Sequence, residues 1–153
     1  MNQRSSMASS SSSLSSDSSF PNNLSLFNPL FILSNITNLV PFKLDHSNYI
    51  LWLYQITSVL RTHLLFGFLD GSKSCPSQFI CDTIGRATDT INPSYQTWMM
   101  QDQALNTLLN TTLTENALSL VIGKTTSCKV WTALEKQYSS FSRSNILQLK
   151  SDL

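Results

Sequence analysis

The side chains of this 153-residue chain best suited to nucleophilic or metal chemistry are three cysteines and two histidines. Cys75 and Cys81 are separated by five residues, and Cys128 stands far downstream. A structural zinc needs four nitrogen or sulfur ligands held tetrahedrally, usually drawn from tight pairs. No second pair follows, and His46 and His63 are not spaced to complete the set, so no metal ligands are assigned. A serine or cysteine nucleophile needs a base, an orienting group and an oxyanion site. No Gly-x-Ser-x-Gly elbow is present to supply the first part of such a site. Gly123-Lys124-Thr125 has the form of a P-loop tail, but that loop also needs a glycine at position 118, where this chain has Leu118. Gly67-Phe68-Leu69-Asp70-Gly71-Ser72-Lys73 has the wrong spacing for the same purpose. The reading is therefore of no catalytic residue, no cofactor and no small-molecule substrate.

Four basic residues are the remaining candidates. Lys129, Lys136, Arg143 and Lys150 recur at heptad spacing, and the chain from Lys124 onward is richer in basic than in acidic residues. On one unbroken helix they would form a stripe able to meet phosphates, giving weak and salt-sensitive nucleic-acid binding. Ser139, Ser140 and Ser142 are read as a break in that stripe, and a solvated helix face is the simpler reading.

Composition narrows the class further. Charged residues make up 12% of the chain and the net formal charge is +1, so no global field draws it to nucleic acid, membrane or acidic substrates. So little net charge offers small resistance to self-association. An odd, sparse cysteine count argues against a secreted disulfide framework. No run approaches the roughly 18–20 apolar residues of a membrane span. The N-terminus lacks a basic segment followed by an apolar core. The expected compartment is reducing, intracellular and cytoplasmic.

The elements that would position these residues read as helices. Residues 1–20 are a serine tract, expected to be disordered because serine offers little apolar area against the cost of ordering the backbone. Residues 21–44 are apolar but interrupted by Pro29 and Pro41, and are expected to pack as an extended arm. A domain over 45–153 follows. Its first helix spans about 48–65, with Ser47 or Asn48 as cap and Tyr49, Trp52, Leu53, Ile56, Leu60 and Leu64 on one face. Gly67 is expected just past its end.

Residues 66–91 read as turn and loop. Asn92-Pro93 starts a second helix running to about 110, because proline in a first turn forfeits no hydrogen bond. Tyr95, Trp98, Met99, Asp102, Leu105 and Leu109 share its face, with Asp102 expected at the edge of that face or hydrogen-bonded across to a neighbour. Thr114 caps a third helix, about 115–122, ended by Gly123. Thr126 or Ser127 caps a fourth, about 128–139, with Val130, Trp131, Leu134 and Tyr138 inward. A fifth begins at Ser144 and is still periodic at Leu153, so the helical pattern is expected to continue beyond it. No strand pattern competes, and the class is all-α, a small helical bundle. Its core signature is Tyr49, Trp52, Tyr95, Trp98, Trp131, Leu134 and Tyr138, with the three tryptophans converging inside.

Residues in the order Leu44-Asp45-His46-Ser47-Asn48-Tyr49, then Trp52, then Gly67-Phe68-Leu69-Asp70-Gly71-Ser72, resemble the N-terminal Gag region of plant copia-type LTR retrotransposons. Asn92-Pro93, Tyr95, Trp98, Asp102, Leu109, Leu113, Val121, Thr125, Thr126, Trp131, Leu134, Tyr138, Gln148 and Leu149 are similar to its adjoining segment. The resemblance covers about 37–153 and lies in the joint order and spacing rather than in any one motif. Leu108 stands where that family often has a second tryptophan, and no Cys-Cys-His-Cys zinc knuckle follows. The resemblance implies a capsid-like, self-associating polypeptide that builds virus-like particles around element RNA, here truncated or a host-genome remnant. Phe66, Phe68 and Phe141 are the expected interface residues. The alternatives are a weak RNA-binding module and a domesticated protein-interaction adaptor.

Overall fold

The computed structural model describes residues 29–151, apart from the side chains at 29, 30, 33 and 141–150. The serine tract over 1–20 lies outside the described residues.

Among the described residues the chain is mostly helical. In chain order the elements are α1 (Pro29–Leu39), α2 (Tyr49–Thr62), α3 (Gly67–Asp70), β1 (Phe79–Cys81), β2 (Ala87–Ile91), α4 (Pro93–Thr111), α5 (Glu115–Ser119) and α6 (Ser127–Ser151). Three expectations change.

The stretch 21–44 was expected to be extended, yet its residues 29–39 are α1. Pro29 opens the helix, where its missing N–H is harmless, and Pro41 follows its end. Ile32, Ile36 and Val40 recur every four residues and are buried, and α1 packs on α4.

The second change is a β-hairpin inside the stretch read as turn and loop, so the all-α class is too strict. β1 and β2 pair antiparallel, with Phe79 opposite Ile91 and Cys81 opposite Ala87. The turn is built by Asp82, whose Oδ1 accepts from the N–H groups of Ile84 (2.9 Å) and Arg86 (2.8 Å), and by Gly85 at φ +82°. That φ is available to glycine without steric cost.

The third change concerns the expected fourth and fifth helices, which are one continuous helix, α6. Serines at 139, 140 and 142 are poor helix formers. Their propensity cost is a few tenths of a kcal/mol each, too small to stop a helix anchored by packing over its first three turns.

Side-chain hydrogen bonds set the helix starts. Asn92 caps α4 by accepting from Ser94 N–H, Thr114 caps α5 through Ala117 N–H, and Thr126 accepts from Lys129 N–H at the start of α6. Asn48 precedes α2 without capping it. Its amide instead closes the turn before the helix, accepting from Asp45 N–H (2.8 Å) and donating to Lys43 O (2.9 Å).

The left-handed residue just past the end of α2 is Leu64 rather than Gly67. Leu64 takes φ +58°, with Leu65 N–H bonded to Leu60 O (2.8 Å) and Leu64 N–H to Arg61 O (3.1 Å). This is the Schellman pattern, with leucine where glycine is usual. Gly67 begins α3 instead.

The core gathers Ile32, Leu44, Trp52, Ile56, Leu60, Phe68, Leu105, Leu108, Leu109, Val130 and Leu134. Leu44 also ties distant chain segments together. Its N–H donates to Thr112 O (2.7 Å), and its O accepts from Thr114 N–H (3.2 Å) and Thr114 Oγ1 (2.7 Å). This pins the turn before α2 to the α4–α5 corner.

Candidate interaction surface

The aromatic residues of α2 and α6 form a ladder. Tyr138 stacks on Tyr49 at 5.6 Å, Tyr49 neighbours Trp52 at 6.4 Å, and Trp52 meets Trp131 at 5.8 Å. Phe66 abuts Trp131 edge-on at 5.9 Å, and the Arg61 guanidinium lies 4.8 Å from the Phe66 ring centre. Offset and edge-on aromatic pairs of this kind each add about 0.5–1.5 kcal/mol beyond area burial. Burial pushes the phenol of Tyr49 upward from its ordinary pKa, and the nearby Glu135 carboxylate adds to the shift. Burial does the same to Tyr138, with Asp45 adding to it.

Two residues of the sequence-derived signature stand apart from this ladder. Tyr95 and Trp98 are only half buried, since burial along α4 begins at Asp102. The first turns of α4 lie against Phe68 and the segment around Lys73. Trp98 packs on Phe68 at 5.6 Å and donates from Nε1 to Lys73 O (3.0 Å). Trp52 and Trp131 meet inside the core, and Trp98 packs against the same core from its margin, half buried. Of the expected interface phenylalanines, Phe68 is buried and Phe66 half buried at the ladder's end, while the Phe141 side chain lies outside the described residues.

Two buried polar links hold the framework. Trp52 Nε1 donates to Thr112 Oγ1 (3.1 Å), which itself donates to Leu109 O (2.7 Å). Asp102 is fully buried, and its Oδ1 accepts from Ser127 N–H (3.2 Å) while Ser127 Oγ donates to Asp102 O (2.8 Å). Gln103 adds a bond to Thr125 O (2.9 Å). The carboxylate thus faces the N-terminus of α6, where backbone N–H groups and the helix dipole favour negative charge.

Outside the ladder, α2 presents a second apolar face. Ile50 and Leu51 are half exposed and Tyr54 is 73% exposed, although the opposite face of the same helix buries Tyr49, Trp52, Ile56 and Leu60. No charged residue occurs in α2 before Arg61. A groove of about 550 Å³ runs beside this face, lined by Tyr49, Leu53, Tyr54, Phe66, Trp131 and Glu135 among others. The signal was present in the sequence. Tyr49-Ile50-Leu51-Trp52-Leu53-Tyr54 is an unbroken apolar run, more than one buried face requires.

The residues weighed for chemistry are scattered. Cys75 and Cys81 are exposed beside and within the hairpin, and Cys128 is half buried in the first turn of α6. His46 is exposed with Nδ1 2.8 Å from Asp45 Oδ1, and His63 ends α2. Lys124 follows Gly123 in the turn after α5. Lys129 and Lys136 are exposed on α6, and Arg143 and Lys150 occupy the next heptad positions of the same continuous helix. No helix among the described residues is long and apolar enough to cross a membrane.

Comparison with known proteins gives the class: the chain is a homologue of retrotransposon polyproteins. It is 32% identical over 133 residues, 86% of its length, to the retrovirus-related Pol polyprotein from transposon RE1 of Arabidopsis thaliana. It is 31% identical over 119 residues, 77% of its length, to the corresponding polyprotein from transposon RE2 of the same plant. The chain spans 8% of the length of each of these relatives. No family model matches it, and no solved structure does.

Proposed function

We propose that this chain is a Gag-like structural segment of a copia-type retrotransposon polyprotein, working by self-association in virus-like particle assembly and not by catalysis. The observation that carries this reading is the doubly apolar α2. A helix hydrophobic on both faces is expected to be covered on both, and among the described residues only one face of α2 is covered. Homology to a short segment of retrotransposon polyproteins supports the same reading, as do the near-zero net charge and the scatter of cysteines and histidines.

The test is sedimentation velocity of the purified chain over a range of concentrations, with Leu51→Glu and Tyr54→Glu compared with the native sequence. The native chain is expected to form oligomers beyond the dimer. Each variant, folded by circular dichroism, weakens association by about tenfold or more, since burying one such side chain is worth about 1.5–3 kcal/mol. A native chain that stays monomeric at every concentration overturns the proposal.

A second reading, weak binding of element RNA, is favoured by one observation. Because α6 is unbroken, Lys129, Lys136, Arg143 and Lys150 follow one line of the helix, drifting only about 20° per heptad. RNA retention at low salt that falls with charge reversal at Lys129 and Lys136 supports it, and no retention at low salt removes it.

A further inference from the structure

Among the described residues the β1–β2 hairpin is a two-stranded sheet, so each strand has one unpaired edge. Its apolar side chains are not covered by the bundle: Phe79, Ile80, Ile84 and Ile91 are all exposed. The two edges differ. β2 carries Asp89 at its centre, and the register places four residue steps of β2 (Ala87 to Ile91) against two of β1 (Phe79 to Cys81), so the bulge lies on β2. A central charge and a bulge are both devices that blunt an edge against further pairing. β1 is Phe79-Ile80-Cys81, with neither.

Backbone alternation defines what the β1 edge offers. Asn92 N–H bonds to Gln78 O, Asp82 N–H bonds to Arg86 O, and Ile80 O accepts from Thr88 Oγ1. Even-numbered residues therefore face β2, and the N–H and C=O groups of Phe79 and Cys81 point outward.

We infer that β1 pairs antiparallel with β1 of a second copy of this chain, about a two-fold axis through Ile80, forming a continuous four-stranded sheet. In that register Phe79 of each copy exchanges hydrogen bonds with Cys81 of the other. The two Ile80 side chains meet at the axis, and Asp82 lies opposite Gln78. No like charges oppose one another. The equivalent β2–β2 pairing would set Asp89 against Asp89, which is destabilising. The charge pattern thus selects both the edge and a self-complementary partner.

This inference deepens the self-association reading and rests on it. The hairpin and the outer face of α2 are separate surfaces, and two separate two-fold contacts carry assembly past the dimer.

The experiment uses the full chain. At the axis the two Ile80 residues form a non-hydrogen-bonded pair with Cα atoms about 4.5 Å apart, inside the range of about 4.4–6.8 Å that a disulfide spans. Ile80→Cys, made with Cys75→Ser, Cys81→Ser and Cys128→Ser, is expected to give a covalent dimer with oxidised glutathione. Thr90→Cys in the same background, on exposed β2 with Asp89 left in place, is expected to stay monomeric on denaturing gels. Separately, Ile80→Lys in the native background places two ammonium groups at the axis, and sedimentation is expected to stop at the dimer held by α2.

Equal cross-linking at positions 80 and 90, or assembly by Ile80→Lys identical to the native chain, overturns the hairpin contact while leaving self-association standing. A native chain that is monomeric and does not cross-link at position 80 overturns both. Cross-linking of β1 only to an added unrelated extended peptide overturns the assignment of a second copy.

Discussion

Asp102 offers the sharpest check on how the bundle is held. Its carboxylate is fully buried, and among the described residues no lysine or arginine forms an ion pair with it. What meets it is the first turn of α6, through Ser127 N–H at 3.2 Å on Oδ1, and the Gln103 side chain, whose Nε2 donates to Oδ2 at 3.5 Å. Asp102→Ala removes that acceptor and leaves the N–H of a fully buried residue without its partner. An unsatisfied buried donor costs about 1–3 kcal/mol. Loss of the charge at a helix N-terminus adds about 0.3–1 kcal/mol, and more where the site is partly buried.

Some of this is returned, because a buried carboxylate no longer has to be stripped of water. With that return subtracted, the expected net loss for Asp102→Ala is about 1–3 kcal/mol. Asp102→Asn keeps an oxygen at the position that accepts from Ser127 and gives up the charge and the long 3.5 Å bond from Gln103 Nε2, so it should cost about 1 kcal/mol. Urea unfolding followed by tryptophan fluorescence and by far-ultraviolet circular dichroism measures both, with an unchanged slope showing that the denatured state is not altered. If Asp102→Asn proves as damaging as Asp102→Ala, the hydrogen bond to Ser127 is not what matters. If Asp102→Ala is neutral, the link between α4 and α6 contributes nothing.

Three further outcomes are expected. Thr112→Val keeps the shape but strands the buried indole N–H of Trp52, and chemical denaturation should show a loss of about 1–3 kcal/mol. Leu64→Gly should raise the thermal midpoint, because exposed Leu64 at φ +58° carries a left-handed penalty of about 1–2 kcal/mol that glycine relieves. Part of that gain is lost to the greater freedom of glycine in the unfolded chain. The third concerns acid. Hydrogen bonds from the His46 backbone N–H (2.7 Å) and ring Nδ1 (2.8 Å) hold Asp45 below its ordinary carboxylate range, and the Ser72 hydroxyl and N–H do the same for Asp70. A carboxyl depressed in the folded state stabilises above its ordinary pKa and loses that contribution as pH falls through the folded value. Thermal midpoints measured across an acid series should fall in that window, and Asp45→Asn should flatten the decline; an unchanged slope in the variant would remove Asp45 as a contributor.

Much of the bundle was legible from local pattern. Asn92-Pro93, Thr114 and Thr126 carry their capping chemistry in their own side chains, so the starts of α4, α5 and α6 could be read without neighbours. Asp102 on an otherwise apolar face announced a hydrogen bond across to another element, because a buried carboxylate must find donors. The hairpin was also written locally, in an Asp-x-x-Gly turn followed by threonines and isoleucine, although short strands with exposed faces give little period-2 contrast.

Other features were decided only by contacts between distant segments. Whether the serines at 139–142 end a helix depends on propensities too small to choose, and packing of Val130, Trp131, Leu134 and Tyr138 carries α6 through them. Whether 29–39 is extended or helical turned on a surface for Ile32 and Ile36 to bury against, which α4 supplies. The sequence alone determined which residues are apolar along α2. Only the tertiary structure decided that Trp52 faces Trp131 while Leu51 and Tyr54 stay exposed among the described residues, because periodicity assigns residues to faces and says nothing of how many faces the neighbouring elements cover.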